Sequence, residues 1–324
     1  MNYVEIISKS LKIVWKNKFL WILGMLAALT EGGIGGGFDT SGFSPGNYQL
    51  DGPKNQIPNP SPSIEQSTKV LGASAEKFTQ YLFSHPFLVL GIILCFFIIL
   101  VIMVSISIIG RGGLIASVSK IENDEKTGFK KGLKDGAHFF WRILGQDLLL
   151  GLLISVILLA FASPVAALAL FKIYFGAIAL GLLFLPIFII LIIYLSVIRY
   201  YGIRAIILEN VGVIEGLKKA HQKMMEHKTE TLLIWLISIG LGFLIGFAVI
   251  LSLFLIFSIL GVPLFGLGFL IYKTLVPVAL WIYISILVFL FGILFWIISG
   301  IFNAFISSFW TLSYLALDNN KKIT

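Results

Sequence analysis

"ENVGVIEGLKKAHQKMMEHKTETLLIWLI", residues 209–237, is a charged, helix-like run that passes without a break into membrane-grade apolar sequence. A parallel run, "EKTGFKKGLKDGAHFFWRILGQDLLLGLL" at residues 125–153, stands 84 positions earlier. Setting Leu133 on Leu217 pairs Glu125 with Glu209, Gly128 with Gly212, Gly132 with Gly216 and Lys134 with Lys218. The apolar runs then begin together, Leu148 and Leu149 with Leu232 and Leu233. Apolar residues recur at helical spacing in both copies: Phe129, Leu133, Ala137 and Phe140, then Val213, Leu217, His221 and Met224. The opposite faces carry Lys130, Lys131, Lys134 and Asp135, and Glu215, Lys218, Lys219, Gln222 and Lys223. A basic amphipathic helix of this kind suits the plane of the lipid headgroups. The N-terminus offers a weaker third copy, with Ile7, Leu11 and Trp15 on one stripe and Lys9, Lys12 and Lys16 opposite it, before "FLWIL" opens an apolar run.

The composition around these runs is that of a membrane protein. Of 324 residues 58% are hydrophobic and 12% charged, against roughly 25% charged in soluble domains. Five stretches, 86–109, 148–171, 173–198, 232–260 and 275–300, meet the need for about 20 apolar residues to cross the hydrocarbon as a helix. The shorter stretch 19–30 has the length of a signal-peptide core, but "MLAALTEGG" gives a poor cleavage site and the third copy of the pattern makes it a retained first span. The sequence therefore predicts an all-α integral membrane protein with about six transmembrane helices. It forms a single membrane domain, 1–324, of three repeated units, about 1–110, 111–203 and 204–324. Each unit is an amphipathic cytoplasmic in-plane helix followed by two spans.

Charge sets the expected topology. Nineteen of the 24 Lys and Arg residues fall in the N-terminal segment, 111–142, 199–228 and the tail. Since cytoplasmic loops carry the Lys/Arg excess, both termini are expected in the cytoplasm of a multi-pass cell-membrane protein. The segment 31–80 is then extracytoplasmic. It opens "EGGIGGGFDTSGFSPGNYQLDGPKNQIPNPSPS", a composition that predicts a flexible loop, and a helical pattern returns at 64–83. "GGIGGG" lacks the strand before it and the Lys-Ser/Thr after it that a phosphate loop needs. The net charge of +8 sits beside the spans, where anionic headgroups are nearer partners than nucleic acid, so no nucleic-acid binding is expected. One cysteine, Cys95, allows no intramolecular disulfide.

No catalytic, metal or cofactor site emerges. The four histidines are His85, His138, His221 and His227, and "HQKMMEH" spaces two of them six apart, not at the i, i+4 of a helical metal pair. No nucleophile elbow, Walker pattern or carboxylate pair appears. Gln146 and Asp147 stand at the start of the third span, and Arg199 and Arg204 flank "YYGI" at the end of the fourth, within snorkelling reach of lipid phosphate. Asn303 is the most interior polar residue. Pro164 and Pro186 lie within spans and predict kinks. Gly128 with Gly132, and Gly212 with Gly216, predict close packing of each in-plane helix on span ends. Apolar character running on to Leu317 predicts a break at 300–303 and an interfacial helix beyond it, bearing Trp310 and Tyr314. The candidate lipid-headgroup contacts are Lys9, Lys12, Lys16, Lys130, Lys131, Lys134, Arg142, Arg199, Arg204, Lys218, Lys219 and Lys223.

The pattern "AIILE...G..EGLKKAH......" leading directly into a span resembles the bacterial six-span proteins grouped with the membrane domain of glycerophosphodiester phosphodiesterases. In some relatives that domain is fused to a soluble phosphodiesterase domain, which is not found in this chain. The resemblance implies a stand-alone membrane module and no catalytic residue. The expected function is a non-enzymatic, lipid-engaging or membrane-organising role. Its expected partners are the anionic inner leaflet and a homo-oligomeric or membrane-protein neighbour. The alternatives are a transporter or permease for an amphiphile and, third, an intramembrane enzyme.

Overall fold

The computed structural model of the protein describes residues 2–31, 84–274 and 277–320. The loop expected at 31–80, Glu31 apart, and the helical pattern at 64–83 lie outside the described residues. Among the described residues there is no strand, and nine helices follow one another: α1 (Tyr3–Lys16), α2 (Phe19–Glu31), α3 (Pro86–Glu122), α4 (Phe129–His138), α5 (Phe140–Leu170), α6 (Tyr174–Leu208), α7 (Val213–Glu226), α8 (Lys228–Thr274) and α9 (Pro277–Asn320). Five stretches are long and apolar enough to cross a membrane: Pro86–Glu122, Phe140–Leu170, Tyr174–Leu208, Lys228–Gly261 and Ile282–Asp318. The described residues form an all-α fold, and the chain is a multi-pass membrane protein. α2, with 13 residues, rises about 20 Å, well short of a bilayer core of roughly 30 Å. By its internal packing the chain divides into Thr40–Val104 and a unit of Met1–Asp39 with Ser105–Thr324. The contacts described below all lie within the second.

The short helices have local causes. α1 is capped by Asn2, whose side chain accepts from the Glu5 N–H, and it stops at Asn17, whose side-chain amide turns back to the Ile13 carbonyl at 2.9 Å. After α3 and after α6 the chain turns through a residue in the left-handed region, Asp124 (φ 58°) and Asn210 (φ 53°), residue types that tolerate it. α4 and α7 then start from Gly128 and Gly212 in extended backbone, whose carbonyls accept from Gly132 and Gly216 at 2.9 and 2.8 Å.

The core lies where these short helices meet the ends of the long ones. Its centre is the C-terminal third of α9: Phe309, Trp310, Tyr314 and Leu317 are fully buried. They are enclosed by Leu195, Ile198, Tyr201 and Ala205 of α6, Ala220 of α7 and Ile234 of α8. A second cluster joins Ile13 and Val14 of α1, Leu20 and Leu23 of α2 and Leu114 and Val118 of α3 to Ala304 and Leu312 of α9.

The expected break at 300–303 does not occur, because α9 runs unbroken from Pro277 to Asn320. Gly300 serves contact rather than interruption. A Cβ there would come within 2.7 Å of the Met25 nitrogen, and one at Gly24 would overlap the Gly300 carbonyl, so α2 and α9 meet backbone to backbone. Trp310 and Tyr314 are accordingly core residues rather than an interfacial belt. Pro164 and Pro186 lie inside the continuous helices α5 and α6.

Candidate functional site

α4 and α7 contact the long helices through small residues. A Cβ on Gly132 would come within 2.7 Å of Ser117 Oγ, and one on Gly136 would overlap the Ile109 carbonyl of α3. On α7, Gly216 lies against Ile206 of α6, with Ala220 buried one turn later. The close packing expected of these helices therefore runs along Gly132 and Gly136, and along Gly216 and Ala220. Gly128 and Gly212 are N-caps with open space around them. Of the expected stripes, Phe129, Leu133, Leu217 and Met224 pack partly buried against the core clusters, whereas Ala137 and His221 are exposed and His221 pairs its Nδ1 with the Tyr194 hydroxyl at 2.8 Å.

α1 corrects the expected stripe more strongly. Its buried residues are Ser10, Ile13 and Val14, whereas Leu11 and Trp15 are 55% and 65% exposed. The reason is geometric: Ile13 and Val14 pack into the second core cluster, which turns the line through Val4, Leu11 and Trp15 outward.

The candidate cations separate into two groups. Lys12, Lys16, Lys130, Lys131, Lys134 and Lys218 are exposed. Beside them lie exposed large apolar residues, Trp15 on α1, Trp141 just after α4 and Ile214 on α7. The others bind the protein to itself. Lys9 pairs with Glu122 at 2.6 Å, holding α1 to the end of α3, and Lys120 pairs with Asp135 at 2.6 Å, holding α3 to α4. Arg142 donates to the side-chain oxygen of Asn210 at 2.6 Å and to its carbonyl at 3.3 Å.

Arg204 and Lys223 are turned into the protein. Arg204 is 2% exposed; its Nη1 donates to the Tyr200 carbonyl at 2.7 Å and its Nη2 to the Ser307 carbonyl at 3.1 Å, and its guanidinium lies within 6 Å of both rings of the stacked Tyr200–Trp310 pair. A snorkelling position is closed to it because α9, running on through Ser307 and Trp310, covers the end of α6. Lys223 Nζ lies 3.4 Å from the centre of the Tyr314 ring and 2.8 Å from Asp318, which fastens α7 to α9.

Glu209 completes that fastening. The Tyr314 hydroxyl donates to its Oε1 at 2.5 Å and Lys219 Nζ lies 2.9 Å from its Oε2, with Glu215 3.6 Å from the same Lys219. Burial pushes the Glu209 carboxyl up, but the hydrogen bonds from Lys219 and Tyr314 and the charges of Lys219 and Lys223 outweigh it and hold it below its ordinary value. The hydrogen bond to Glu209 raises Lys219 in turn.

A second polar node joins α3, α5 and α6. Asp147 accepts from Arg111 Nη2 at 2.9 Å and from Arg199 Nε at 3.2 Å. Gln146 beside it is fully buried, donates its Nε2 to the Arg199 carbonyl at 2.9 Å and lies flat on Gly202. Arg199 is thus engaged by Asp147 as well as reaching the surface, with 39% of its side chain exposed. By sequence Arg111 stands only among the charges of the segment 111–142. The sign it gave was its place in "SIIGRGGLIAS", a cation inside an apolar helical run. Among the described residues, no three His, Cys, Asp or Glu side chains gather to hold a metal ion.

Residues 16–317 match a family of unknown function (DUF7544). The chain belongs to that family. No curated protein and no solved structure matches it.

Proposed function

We propose that the protein is a non-enzymatic, lipid-engaging module of the cell membrane. It organises anionic inner-leaflet lipid, or a membrane partner beside that lipid, through the basic faces of α1, α4 and α7. In this reading six spans form three units, each a cytoplasmic in-plane helix followed by two spans, with both termini inside and 31–80 outside. The resemblance to the membrane domain of glycerophosphodiester phosphodiesterases agrees with a module that carries no reaction of its own.

The observation that carries the proposal is the pairing of exposed lysines with exposed large apolar side chains on or beside all three short helices, whose other faces bind the long helices. Lysine beside tryptophan or isoleucine suits the boundary between headgroups and acyl chains. The distribution of polar groups favours this reading over a transport path. Arg111, Gln146, Asp147, Arg199 and Arg204 gather at the short-helix end, while Ser155 and Ser252 within α5 and α8 return their hydroxyls to carbonyls of their own helices at 2.9 and 2.7 Å.

The test compares thermal unfolding of the full chain in nanodiscs of phosphatidylcholine with and without phosphatidylglycerol. Anionic lipid is expected to raise the midpoint at low salt and less at high salt, because each lysine near such a surface contributes about 1 kcal/mol and salt screens it. Replacing Lys12, Lys16, Lys130, Lys131, Lys134 and Lys218 together with glutamine is expected to remove most of the gain. A gain that survives the replacement, or protein-dependent flux of lipid or solute reporters in liposomes, would overturn the proposal.

A further inference from the structure

We infer that one flank of α1, formed by Val4, Leu11 and Trp15, is inserted among the acyl chains of the inner leaflet, as an anchor that does not depend on headgroup charge. The inference deepens the lipid-engaging reading, on which it rests for placing α1 beside a bilayer. At about 100° per residue, the helix divides into sectors of different character. Ser10, Ile13 and Val14 form a buried face, with Tyr3, Ile6 and Ile7 packed partly buried against the core clusters. The sector opposite is polar, with Glu5, Ser8 and Lys12 exposed. Between the two, on one side only, runs the line of Val4, Leu11 and Trp15, exposed by 76%, 55% and 65%. The other side carries Lys9, which is turned to Glu122.

The neighbours of the two flanks identify what covers the apolar one. Lys9 reaches Glu122, the last residue of α3, at the polar end of that helix. Trp15 lies instead against Trp21 of α2, with ring centres 5.5 Å apart, and the Trp21 indole N–H donates to the Val14 carbonyl at 2.9 Å. Ile22 beside Trp21 is exposed, so the apolar flank of α1 continues onto the surface of α2, a helix without charge before its last residue. A helix capping the bundle end would meet water or a soluble partner through the sector opposite its core contacts, and in α1 that sector is polar. A helix lying alongside, in the plane of the interface, turns one flank to acyl chains and the other to water. α1 has that division, and it runs the same way as the polarity of α2 and α3. Lys12 and Lys16, exposed next to Leu11 and Trp15 in the chain, stand where headgroups would meet them.

The experiment uses the full chain with Cys95→Ser, in nanodiscs of phosphatidylcholine without anionic lipid. A nitrobenzoxadiazole fluorophore is attached at Leu11→Cys or, on the polar sector, at Glu5→Cys; both positions are exposed, so neither label displaces the core. Nitroxides on the lipid acyl chains are expected to quench the Leu11 label, and iodide in the buffer the Glu5 label. Iodide should be about tenfold less effective at Leu11, because an ion is excluded from apolar surroundings. Equal access of iodide to the two labels would overturn the anchor and leave the flank to a soluble partner. Protection of Leu11 that appears only once phosphatidylglycerol is added would sink the independence from charge while leaving the lipid-engaging reading intact. Replacing Lys12, Lys16, Lys130, Lys131, Lys134 and Lys218 with glutamine is expected to leave the Leu11 label protected. Protection kept in a chain whose stability never responds to anionic lipid would reject the broader reading and retain the anchor.

Discussion

α6 is two different objects along its length. From Tyr201 to Ile207 every residue is buried, with Tyr201 and Ile206 fully so, whereas Ile178, Leu182 and Ile190 in the first half are each more than 60% exposed. α5 and α9 show the same division: Ile143 and Leu150 against Leu152 and Leu159, and Phe309 and Trp310 against Val288 and Phe289. The apolar composition hardly changes between the halves, so the difference is one of solvent. Where a helix leaves the hydrocarbon, water makes burial favourable. Inside it, acyl chains solvate leucine as well as another helix does, and association must come from close packing of small residues and from polar contacts. The short-helix end therefore fixes the structure, and the other halves present surface to lipid.

The largest effect expected from this contrast is at Gly300. Gly300→Val must displace the α2 backbone at Met25, costing about 3 kcal/mol or more. Gly151→Val, where nothing stands within 4 Å of the added carbon, should remain within about 0.5 kcal/mol. Thermal unfolding of both variants in the same nanodisc measures the difference, and equal costs would break the comparison. Next is a matched pair on α5. Ile143→Ala opens a cavity at a fully buried position and is expected to cost about 2–4 kcal/mol. Leu152→Ala, at 70% exposed, is expected to change the midpoint by much less. If Leu152→Ala costs as much, that face of α5 is covered by something other than lipid.

How much of this the sequence made legible depended on whether a signal was local. The five long apolar helices could be read from run length alone, because a bilayer demands it. Gly132 and Gly216 could be identified as packing residues, but their partners could not. Which of two small-residue pairs touches a neighbour depends on helix rotation, and here the rotation put Gly136 and Ala220 on the contact and Gly128 and Gly212 at the caps. The burial of Arg204 is hidden from the sequence for a related reason: its covering residues, Ser307 and Trp310, lie more than 100 positions away in a stretch expected to leave the bundle. The pairing of Asp147 with Arg111 and Arg199 crosses three helices and had no sequence signal beyond a cation in an apolar run.

The smallest effect expected is the most specific to the packed end. Tyr314→Phe removes the hydrogen bond to Glu209 while keeping the ring under Lys223, and should cost about 1 kcal/mol near neutral pH. The sign of its pH dependence follows from the groups around that carboxylate: Lys219 and Lys223 of α7, with Glu215 beside Lys219, and Tyr314 and Asp318 of α9. Folded Glu209 titrates below its ordinary value of 4.5. The stability it contributes is therefore present in full above that value and is lost as pH falls through the lower folded value. Acidification from neutral to about pH 4 should lower the wild-type midpoint. The fall should be smaller in Tyr314→Phe, whose carboxyl is held down less, and smaller still in Glu209→Gln. Should the three acid profiles run parallel, the anchor of α7 on α9 would have to be the contact of Lys223 with Tyr314 and Asp318 rather than Glu209.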